Sequence, residues 1–321
     1  MAAKVTIADV ARHAGVSRQT VSNVLNSPEV VKEETRRRVL AAVEALGYRV
    51  SAAARQMRTG RSRLLAVRIE TIQDGMNVFD RFLHGLTESA ANAGYRVLLY
   101  TATDDENEID TIDQLLGEFE PDGFVLTSTH HGDPRAAWLA ERDLPFVSFG
   151  RPWGALEAGY PWVDVDGAAG TEAATRHLLD AGHRRIGFIG WEQGSGVGDD
   201  RRAGWSRTLS AEGLDADLAL ETDGSPAEGR AAALALVERG ATALVCVSDA
   251  VALGAVQVTR AAVGFDDTPV AAAIGLTSVG QPLAEAAARC VEMLTGRLSG
   301  RPTESHALLS PTLVIRKDPR S

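Results

Sequence analysis

The segment SRQTVSNVLN, residues 17–26, places four polar side chains on the outer face of a short predicted helix. They are Arg18, Gln19, Ser22 and Asn23. All four can hydrogen-bond the edges of bases, and they cluster near the helix N-terminus, the end that such helices insert into the major groove of DNA. The segment therefore predicts a helix that reads DNA.

Short polar residues near the predicted helix ends suit a second kind of contact. They are Thr6, Ser17, Thr20 and Asn26. Hydroxyl and amide groups at such positions can bind phosphates, which fixes the register of a protein on the duplex without reading its sequence. Each residue alone is equally consistent with a cap or a solvated position, whereas the whole set favours a nucleic-acid interface.

Three short helices must position these residues. Thr6 and Asp9 are spaced as a capping box for the first helix, and Gly15 ends it. Ser17 caps the second helix, and the third runs roughly from Lys32 to Leu46. Two short helices joined by a tight glycine turn form a helix-turn-helix. The residues expected to face inward are Ile7, Val10, Ala11, Ala14, Val21, Val24, Leu25, Val39, Leu40, Val43 and Leu46.

Charge is divided unevenly along the 321 residues. Residues 1–63 hold twelve Lys and Arg against five Asp and Glu, a net charge of +7, whereas the remainder holds 21 against 38, a net charge of −17. A basic head on an acidic body indicates that the head meets a polyanion and the body does not. The chain length also predicts two or three folding units.

From Leu64 onward, apolar runs alternate with helical stretches in two series. The first series contains LLAVRI, YRVLLY, GFVLTS and PFVSF, and the second contains RRIGFIG and ALVCVS. Strand–helix alternation is typical of an α/β fold in which helices cover both faces of a parallel sheet. Two series predict two lobes, and ligands in such folds bind beyond the carboxyl ends of the strands. We therefore expect a ligand cleft between the lobes.

Ordered motifs over nearly the whole chain resemble one family. TIADVARHAGVSRQTVSNVLN, ETRRRVLAAVEALGYR and SAAARQMRTG closely resemble the N-terminal domain of the LacI/GalR family of bacterial transcriptional repressors. GHRRIGFIG, DDRRAGW, SDAVALGA, GFDDTP and LTSVGQP resemble successive motifs of that family's sugar-binding domain. The resemblance implies a head that binds an operator and a body, like a periplasmic binding protein, that binds a small molecule, usually a sugar.

The domain boundaries follow from these motifs. We expect a three-helix helix-turn-helix domain over residues 1–50, a hinge helix over 51–60 and a two-lobed effector-binding and dimerisation domain over 61–321. The first lobe is expected to contain about 61–160 and 282–305. The second is expected to contain about 161–281 and 306–321.

SAAARQMRTG is about two turns long and should be only marginally stable alone. It resembles the hinge helix of the family, which orders on the operator, pairs with its dimer mate and enters the minor groove. Small Ala53 and Ala54 permit close approach, and the match puts Met57 at the position of the wedge between base steps. Relatives usually have leucine there.

Charged residues just past strand ends are candidates for the cleft lining. Position alone selects Arg151, Arg201, Asp249 and Asp266, whose side chains can satisfy sugar hydroxyls. For Asp249, a helix N-cap is an equally good interpretation. Family correspondence assigns ligand contacts to Arg201, Ser248, Asp266 and Gln281, and more loosely to Phe79 and Arg151. Many relatives have Asn in place of Ser248 and Asp in place of Gly150.

Tryptophan gives a hint about the ligand. Trp153, Trp162 and Trp191 fall near predicted strand ends or loops, where an aromatic face can stack on a pyranose ring, although large apolar residues are more often core. Trp138 and Trp205 are expected to pack inward from helices. If two or more line the cleft, a disaccharide or plant-wall oligosaccharide of the cellobiose or xylobiose type is favoured over a monosaccharide.

One segment departs from the expected spacing. A helix over Val251–Ala262 would run directly into GFDD, although α/β units need roughly two to six connecting residues. Either this segment is shortened or the sequence omits residues.

Other patterns give no sign of catalysis, a metal or a cofactor. GWEQGSGVGDD lacks the GKS or GKT of a P-loop, DDENEID lacks EF-hand spacing, and His130-His131 has no second ligand pair at a useful spacing. Cys246 and Cys290 are expected to be buried thiols. We also expect a cytoplasmic protein, because no apolar run of 18 residues and no signal peptide is visible.

Two functions from different classes fit this organisation. One is a ligand-controlled DNA-binding repressor, and the other is a sugar-binding or sugar-modifying enzyme with a nonspecific basic tether. The complete helix-turn-helix and the lack of an identifiable catalytic set favour the repressor. One helix-turn-helix reads few base pairs, so we expect at least a homodimer on a palindromic operator. The sequence leaves open dimer or tetramer, and inducer or corepressor.

Overall fold

A computed structural model describes residues 5–49, 56, 60–69, 79–154 and 159–316. The chain divides into two compact units, residues 1–62, which we call the head, and residues 63–321, which we call the body. None of the helices in the described ranges is long and apolar enough to cross a membrane.

The head is a three-helix unit. Helix α1 spans Ile7–Ala14, α2 spans Arg18–Asn26 and α3 spans Glu33–Leu46, with a short 3₁₀ helix at Pro28–Val30 between the last two. Gly15 and Gly47 adopt left-handed φ angles of 63° and 60°, and each ends its helix as the sequence predicts. The residues buried between the helices are Val10, Ala11, Ala14, Val21, Val24, Val39 and Ala42.

The prediction is wrong for one of the core residues expected in α3. Leu40 was expected to face inward, but 47% of its surface is exposed, and Ala42 is buried instead. Because buried Val39 sets the inward face of α3, the residue one step later points about 100° away from it. The predicted hinge over residues 51–60, including Ala54 and Met57, lies outside the described residues except for Gln56 and Gly60.

The body contains two six-stranded sheets. The elements of its first lobe are β1 Leu64–Arg68, α4 Phe79–Asn92, β2 Arg96–Tyr100, α5 Asp105–Glu118, β3 Gly123–Leu126, α6 Arg135–Glu141, β4 Phe146–Phe149, β5 Trp162–Val165, α12 Leu283–Leu298 and β11 His306–Leu309. The sheet order is β11-β5-β4-β3-β1-β2, and its pairings are parallel.

The second lobe repeats this architecture. Its elements are α7 Gly167–Asp180, β6 Ile186–Trp191, α8 Val197–Ala211, β7 Ala219–Thr222, α9 Pro226–Glu238, β8 Ala243–Cys246, α10 Asp249–Ala255, β9 Ala262–Asp266, α11 Pro269–Ile274, β10 Ser278–Gly280 and β12 Thr312–Val314. The sheet order is β12-β10-β9-β8-β6-β7, and only the β10–β12 pairing is antiparallel.

The expected lobe boundaries near residues 161 and 306 are wrong by one strand each. Strand β5 pairs with β4, and β11 pairs with β5, so both strands complete the first sheet rather than begin the second. The chain therefore leaves the first lobe after β5, returns to it after β10 and leaves it again after β11.

The unusual spacing before GFDD has a simple explanation. The helix expected over Val251–Ala262 is observed as α10, which ends at Ala255, and β9 begins at Ala262. Six residues therefore connect them, which is within the normal range. Asp266 is the last residue of β9 and reaches the carboxyl edge of the second sheet.

Candidate functional site

Helix α2 presents its polar face outward because its apolar face is held by the head. Val21 and Val24 are buried against α1 and α3. Ser17 caps the helix, since its Oγ accepts a hydrogen bond from the Thr20 amide at 3.1 Å and lies 2.9 Å from Thr20 Oγ1. Arg18 and Gln19 are consequently exposed, and the remaining members of the predicted reading set, Ser22 and Asn23, are half-buried on the same side.

Two amides of this face are paired with each other. Gln19 Nε2 donates to Asn23 Oδ1 at 2.9 Å, so the two side chains hold one another in place. This hydrogen bond does not use the Asn23 amide N–H groups or the Gln19 side-chain carbonyl, which can act as donors and an acceptor. This combination matches the N6 donor and N7 acceptor of adenine in the major groove, whereas the Arg18 guanidinium matches guanine.

The predicted phosphate-binding residues also serve the helix ends. Thr6 Oγ1 donates to Asp9 Oδ2 at 2.7 Å, and the Thr6 amide donates to the same oxygen at 3.0 Å. These hydrogen bonds lower the pKa of Asp9 below its ordinary value. Asn26 Nδ2 donates to the Ser22 carbonyl at 2.6 Å. The cap interpretation of Thr6 and Ser17 is therefore confirmed, and their contact with phosphate stays a prediction.

A cleft between the two sheets of the body forms a cavity of about 500 Å³. It lies beyond the carboxyl ends of strands from both lobes, where ligands of parallel α/β folds bind. Its aromatic lining residues are Phe79, Phe82, Phe149, Trp153, Trp191 and Phe265. Its main polar lining residues are Thr127, Ser128, Thr129, Asp164, Asp200, Arg201, Asp223, Ser248, Asp266, Thr268 and Gln281.

Eight residues were predicted as effector contacts: Phe79, Arg151, Trp191, Arg201, Ser248, Asp249, Asp266 and Gln281. Six of them line this cavity. They are Phe79, Trp191, Arg201, Ser248, Asp266 and Gln281. Four of these come from the second lobe through α8, β9 and the ends of β6 and β8, while Phe79 opens α4 of the first lobe and Gln281 lies in a crossover between the lobes.

Arg201 is the only cation among the lining residues that the structure describes. Its Nη1 donates to the Val247 carbonyl at 2.6 Å, and its guanidinium lies 3.6 Å from the centre of the Phe265 ring. Nη1 also lies 3.7 Å from Asp266 Oδ1. Burial lowers the pKa of Arg201, and the negative charge of Asp266 opposes that shift. The group is thus fixed in orientation at the back of the cavity.

Asp266 is held in a conformation that few residues adopt. Its φ angle is 112°, and its Oδ1 accepts a hydrogen bond from Gln281 Nε2 at 2.7 Å. Burial raises the pKa of Asp266 to about 7, although the positive charge of Arg201 acts in the opposite direction. The Asp266 carboxyl is therefore easier to protonate than an exposed aspartate, and it lines the cavity.

Two predicted lining residues, Arg151 and Asp249, do not line the cavity. The guanidinium of Arg151 instead binds two carboxylates of the lining: Nε donates to Asp164 Oδ2 at 2.5 Å, and Nη2 lies 3.4 Å from Asp200 Oδ2. Because Asp164 belongs to the first lobe and Asp200 to the second, Arg151 connects the lobes through an ion pair.

Asp249 has an internal structural role. Its Oδ1 accepts from Ser278 Oγ at 2.6 Å and its Oδ2 accepts from the Thr268 amide at 2.7 Å. It therefore fixes β10 and the start of α11 relative to α10. The N-cap of α10 is Ser248, whose Oγ accepts from the Val251 amide, so the alternative N-cap interpretation of Asp249 is also wrong.

The tryptophans divide as the pattern of strand ends suggested, with one exception. Trp153 and Trp191 line the cavity, and the Trp153 ring lies against Gly196 of the other lobe. Trp162 instead stacks on His306, with ring centres 5.0 Å apart, and is absent from the lining. Trp205 is 1% exposed in the core of the second lobe, and Trp138 packs against the first-lobe core, as expected.

Sequence reasoning missed three carboxylates of the lining: Asp164, Asp200 and Asp223. Asp164 lies in β5, a strand that was not predicted, and Asp223 follows β7, which was also missed. Asp200 directly precedes Arg201, so its position beside a candidate ligand contact was a usable signal.

Three polar atoms around the cavity are buried without a hydrogen-bond partner in the described part of the chain. They are Trp153 Nε1, Arg201 Nε and Thr127 Oγ1. A buried donor without a partner costs about 1–3 kcal/mol relative to one that is satisfied. A ligand that offers oxygen acceptors would remove that cost.

The predicted loop pair His130-His131 has acidic neighbours that were not expected. Asp105, His130 and Asp133 bring ligand atoms within 4.8 Å of one another. Arg135 already lies among them, with Nη2 2.7 Å from Asp133 and Nε 3.3 Å from Asp105. A guanidinium therefore supplies the positive charge at this cluster.

Comparison with known proteins matches both units. The family model described as "Bacterial regulatory proteins, lacI family" matches residues 6–51, and "Periplasmic binding protein-like domain" matches residues 175–317. The HTH-type transcriptional regulator CelR of Thermobifida fusca is 32% identical over 334 residues, covering 97% of each chain. The chain belongs to the LacI family.

Solved structures of LacI-family regulators have the same fold. A regulatory protein of the family from Chloroflexus aggregans is 34% identical with a TM-score of 0.74, covering 79% of this chain and 97% of that chain. A complex of the transcriptional regulator CelR with cellobiose is 30% identical with a TM-score of 0.72, covering 98% and 100%. The relatives are DNA-binding regulators, so this LacI-family chain is a transcriptional regulator and not an enzyme.

Proposed function

We propose that this LacI-family protein represses sugar-utilisation genes and is released from a palindromic operator by a small sugar. The effector is a di- or oligosaccharide of the cellobiose or xylobiose type. The observation that carries the proposal is a 500 Å³ cavity lined by six aromatic rings, with buried polar atoms that have no hydrogen-bond partner among the described residues. The relative CelR, solved with cellobiose, supports the same ligand class.

The size and chemistry of the cavity favour two sugar rings over one. A volume of about 500 Å³ lies in the usual range for ligand pockets and exceeds what one pyranose fills. Trp153 and Trp191 come from different lobes, so each can stack on the apolar face of a separate ring. Trp153 Nε1 and Arg201 Nε then donate to hydroxyl oxygens of the ligand.

DNA recognition is assigned to the head and the hinge. Base edges are read by Arg18, Gln19, Ser22 and Asn23, and phosphates are bound by Thr6, Ser17, Thr20 and Asn26. Residues 51–60 form the hinge helix, in which Ala54 permits close approach to its twin and Met57 inserts into the minor groove. This assignment rests on the outward face of α2 and on the family to which the chain belongs.

Regulation requires coupling between the units. We expect a homodimer, formed by the body, because two symmetric heads match a palindrome with half-sites about one helical turn apart. A sugar that binds one arrangement of the lobes better shifts the population of the arrangement that holds the heads on DNA. We assign the sugar as inducer. Because the operator is chromosomal DNA, the protein acts in the cytoplasm.

A sugar panel tests this proposal. Isothermal titration of the full chain with glucose, xylose, cellobiose, xylobiose and maltose should give binding to a β-linked disaccharide and little to the monosaccharides. Binding of monosaccharides alone would overturn the ligand assignment. A gel shift on DNA selected by the protein from a random library then tests whether the sugar is an inducer. The disaccharide should release the DNA, and tighter binding of the DNA would identify a corepressor.

A further inference from the structure

The charges around the cavity are strongly unequal. Among the described residues, four aspartates line it, namely Asp164, Asp200, Asp223 and Asp266, against one lining cation, Arg201. Asp249 lies directly behind this lining and is 2% exposed. Arg151 is a second cation beside the cavity. The described part of the chain therefore places five carboxylates and these two guanidiniums around the cavity.

Both guanidiniums are already engaged by protein acceptors. Arg151 bonds Asp164 and lies 3.4 Å from Asp200, and its guanidinium stacks 4.7 Å from the centre of the Trp153 ring. Arg201 donates to the Val247 carbonyl and lies 3.7 Å from Asp266. A ligand anion would have to displace one of these carboxylates, or share a cation with it, in a site where burial weakens screening.

The carboxylates around the cavity also act on one another, although a guanidinium acts more strongly on Asp200 and on Asp266. The pKa of Asp200 is raised mainly by burial; the positive charge of Arg151 opposes that shift, and the neighbouring Asp166 and Asp164 add to it. Asp249 acts in the same direction on Asp266. Asp223 differs, because hydrogen bonds from Ser225 lower its pKa, and it keeps its full negative charge at the mouth of the cavity at neutral pH.

We infer that the cavity selects uncharged or cationic sugars and rejects sugars that carry a carboxylate or phosphate group. This inference rests on the proposed function, in which a sugar occupies the cavity. A neutral sugar can donate its hydroxyl protons to the carboxylates and accept from Trp153 Nε1 and Arg201 Nε, so both halves of the lining are used. A uronate or sugar phosphate adds negative charge to a lining that already has an excess of it.

The test compares ligands of one shape and different charge. The probes are cellobiose and two analogues in which the non-reducing C6 hydroxymethyl group is replaced by a carboxylate or by the neutral carboxamide. Isothermal titration of the full chain at pH 7.5 should give at least about tenfold weaker binding for the carboxylate than for the carboxamide. A higher salt concentration should reduce the ratio of the two dissociation constants.

A variant identifies the source of the discrimination. Asp223→Asn should reduce the ratio of the carboxylate and carboxamide dissociation constants by about threefold. The matched control is Asp215→Asn, which makes the same charge change at an exposed position outside the lining and should leave the ratio unaltered. A ratio that falls equally in both variants would overturn the assignment to Asp223.

Two negative results are distinguishable. Equal binding of the carboxylate and carboxamide analogues would overturn the charge selection and leave the disaccharide function intact. Failure of cellobiose and both analogues to bind, in a chain that still binds its selected DNA, would overturn the disaccharide function and this inference with it.

Discussion

Two sites of this protein are assembled differently from the sequence. One is the lining of the cavity, and the other is the outward face of α2 with Arg18, Gln19, Ser22 and Asn23, which we call the reading face. The reading face comes from nine consecutive residues, and its side chains are exposed because two buried valines fix the rotation of the helix. The cavity lining comes from residues between Phe79 and Leu283, contributed by both sheets and their crossovers. The first site needs one folded helix in place, whereas the second needs two lobes in a defined relation.

The two sites also use charge in opposite ways. On α2, we propose that uncharged amides and one arginine face a polyanion, and the pair Gln19–Asn23 is held by a single exposed hydrogen bond. In the cavity, carboxylates and guanidiniums are buried together and form ion pairs. Substitutions in α2 should therefore change affinity for DNA with little effect on stability, while substitutions in the lining should change both ligand binding and the packing of the lobes.

The largest difference between the effects on sugar affinity and on operator affinity is expected for Arg201→Ala. The change removes a guanidinium that holds Val247 and faces Asp266, so a buried carboxyl loses its partner. Sugar affinity measured by isothermal titration should fall at least about 100-fold, about 3 kcal/mol, with operator affinity retained. The control is Arg202→Ala, which removes the adjacent guanidinium outside the lining and should change sugar affinity little. Similar losses in both variants would contradict the role of Arg201.

The opposite result, a loss of operator affinity without a loss of sugar affinity, is expected for Asn23→Ala. Loss of the amide that reads a base and pairs with Gln19 should weaken operator binding by about 1–3 kcal/mol, or roughly 5–150-fold, measured by fluorescence anisotropy. Sugar affinity should be unchanged. Glu44→Gln, on the exposed side of α3, is the control for an unrelated change in the head. An unaltered base preference at every operator position would show that Asn23 does not read DNA.

A change in the hinge should likewise affect the operator more than the sugar. Met57→Ala removes the proposed wedge between base steps, so operator affinity should fall at least about tenfold. Titration with the sugar and thermal unfolding of the body should match the unsubstituted chain. Equal losses of operator and sugar affinity would indicate a folding defect.

A pH dependence of stability is also expected, and it belongs to the cavity alone. Burial raises the pKa of Asp266 to about 7, from about 3.9 in the unfolded chain. Folding thus favours the protonated carboxyl, and its stabilising contribution is complete below about pH 4 and is lost as the pH rises through about 7.

The variant Asp266→Asn isolates that contribution. Denaturant unfolding of the body should show a free energy that falls less steeply between about pH 4 and 7 than in the unsubstituted chain. Some slope should remain, because the pKa values of Asp200 and Asp249 are also raised. An unchanged slope would contradict the assignment to Asp266, and Asp215→Asn serves as the charge control.

How far the sequence predicts each region follows from the range of its contacts. The helix-turn-helix could be predicted residue by residue because caps, staples and apolar periodicity act within one or two turns. Leu40 is the exception, since the rotation of α3 depends on packing between helices. Six residues of the cavity lining were also predicted, because positions past strand ends and family motifs select them.

The predictions that proved wrong in the body all depend on contacts between different helices and strands. Strands β5 and β11 belong to the first lobe because of a pairing between residues about 140 positions apart, which local patterns do not encode. Arg151 and Asp249 follow predicted strands as required, yet their side chains are bound by Asp164, Ser278 and Thr268 from other elements. Position at a strand end thus predicts nearness to the cavity but does not predict exposure in it.

The proposed function requires that a sugar bound in the body controls the affinity of the head for DNA. The most direct test is fluorescence anisotropy of the full chain on DNA that it selected from a random library, titrated with cellobiose. The proposed function predicts that saturating cellobiose weakens DNA binding at least about tenfold, and that Arg201→Ala abolishes this response while keeping DNA affinity. DNA affinity that stays constant while cellobiose is shown to bind would contradict it.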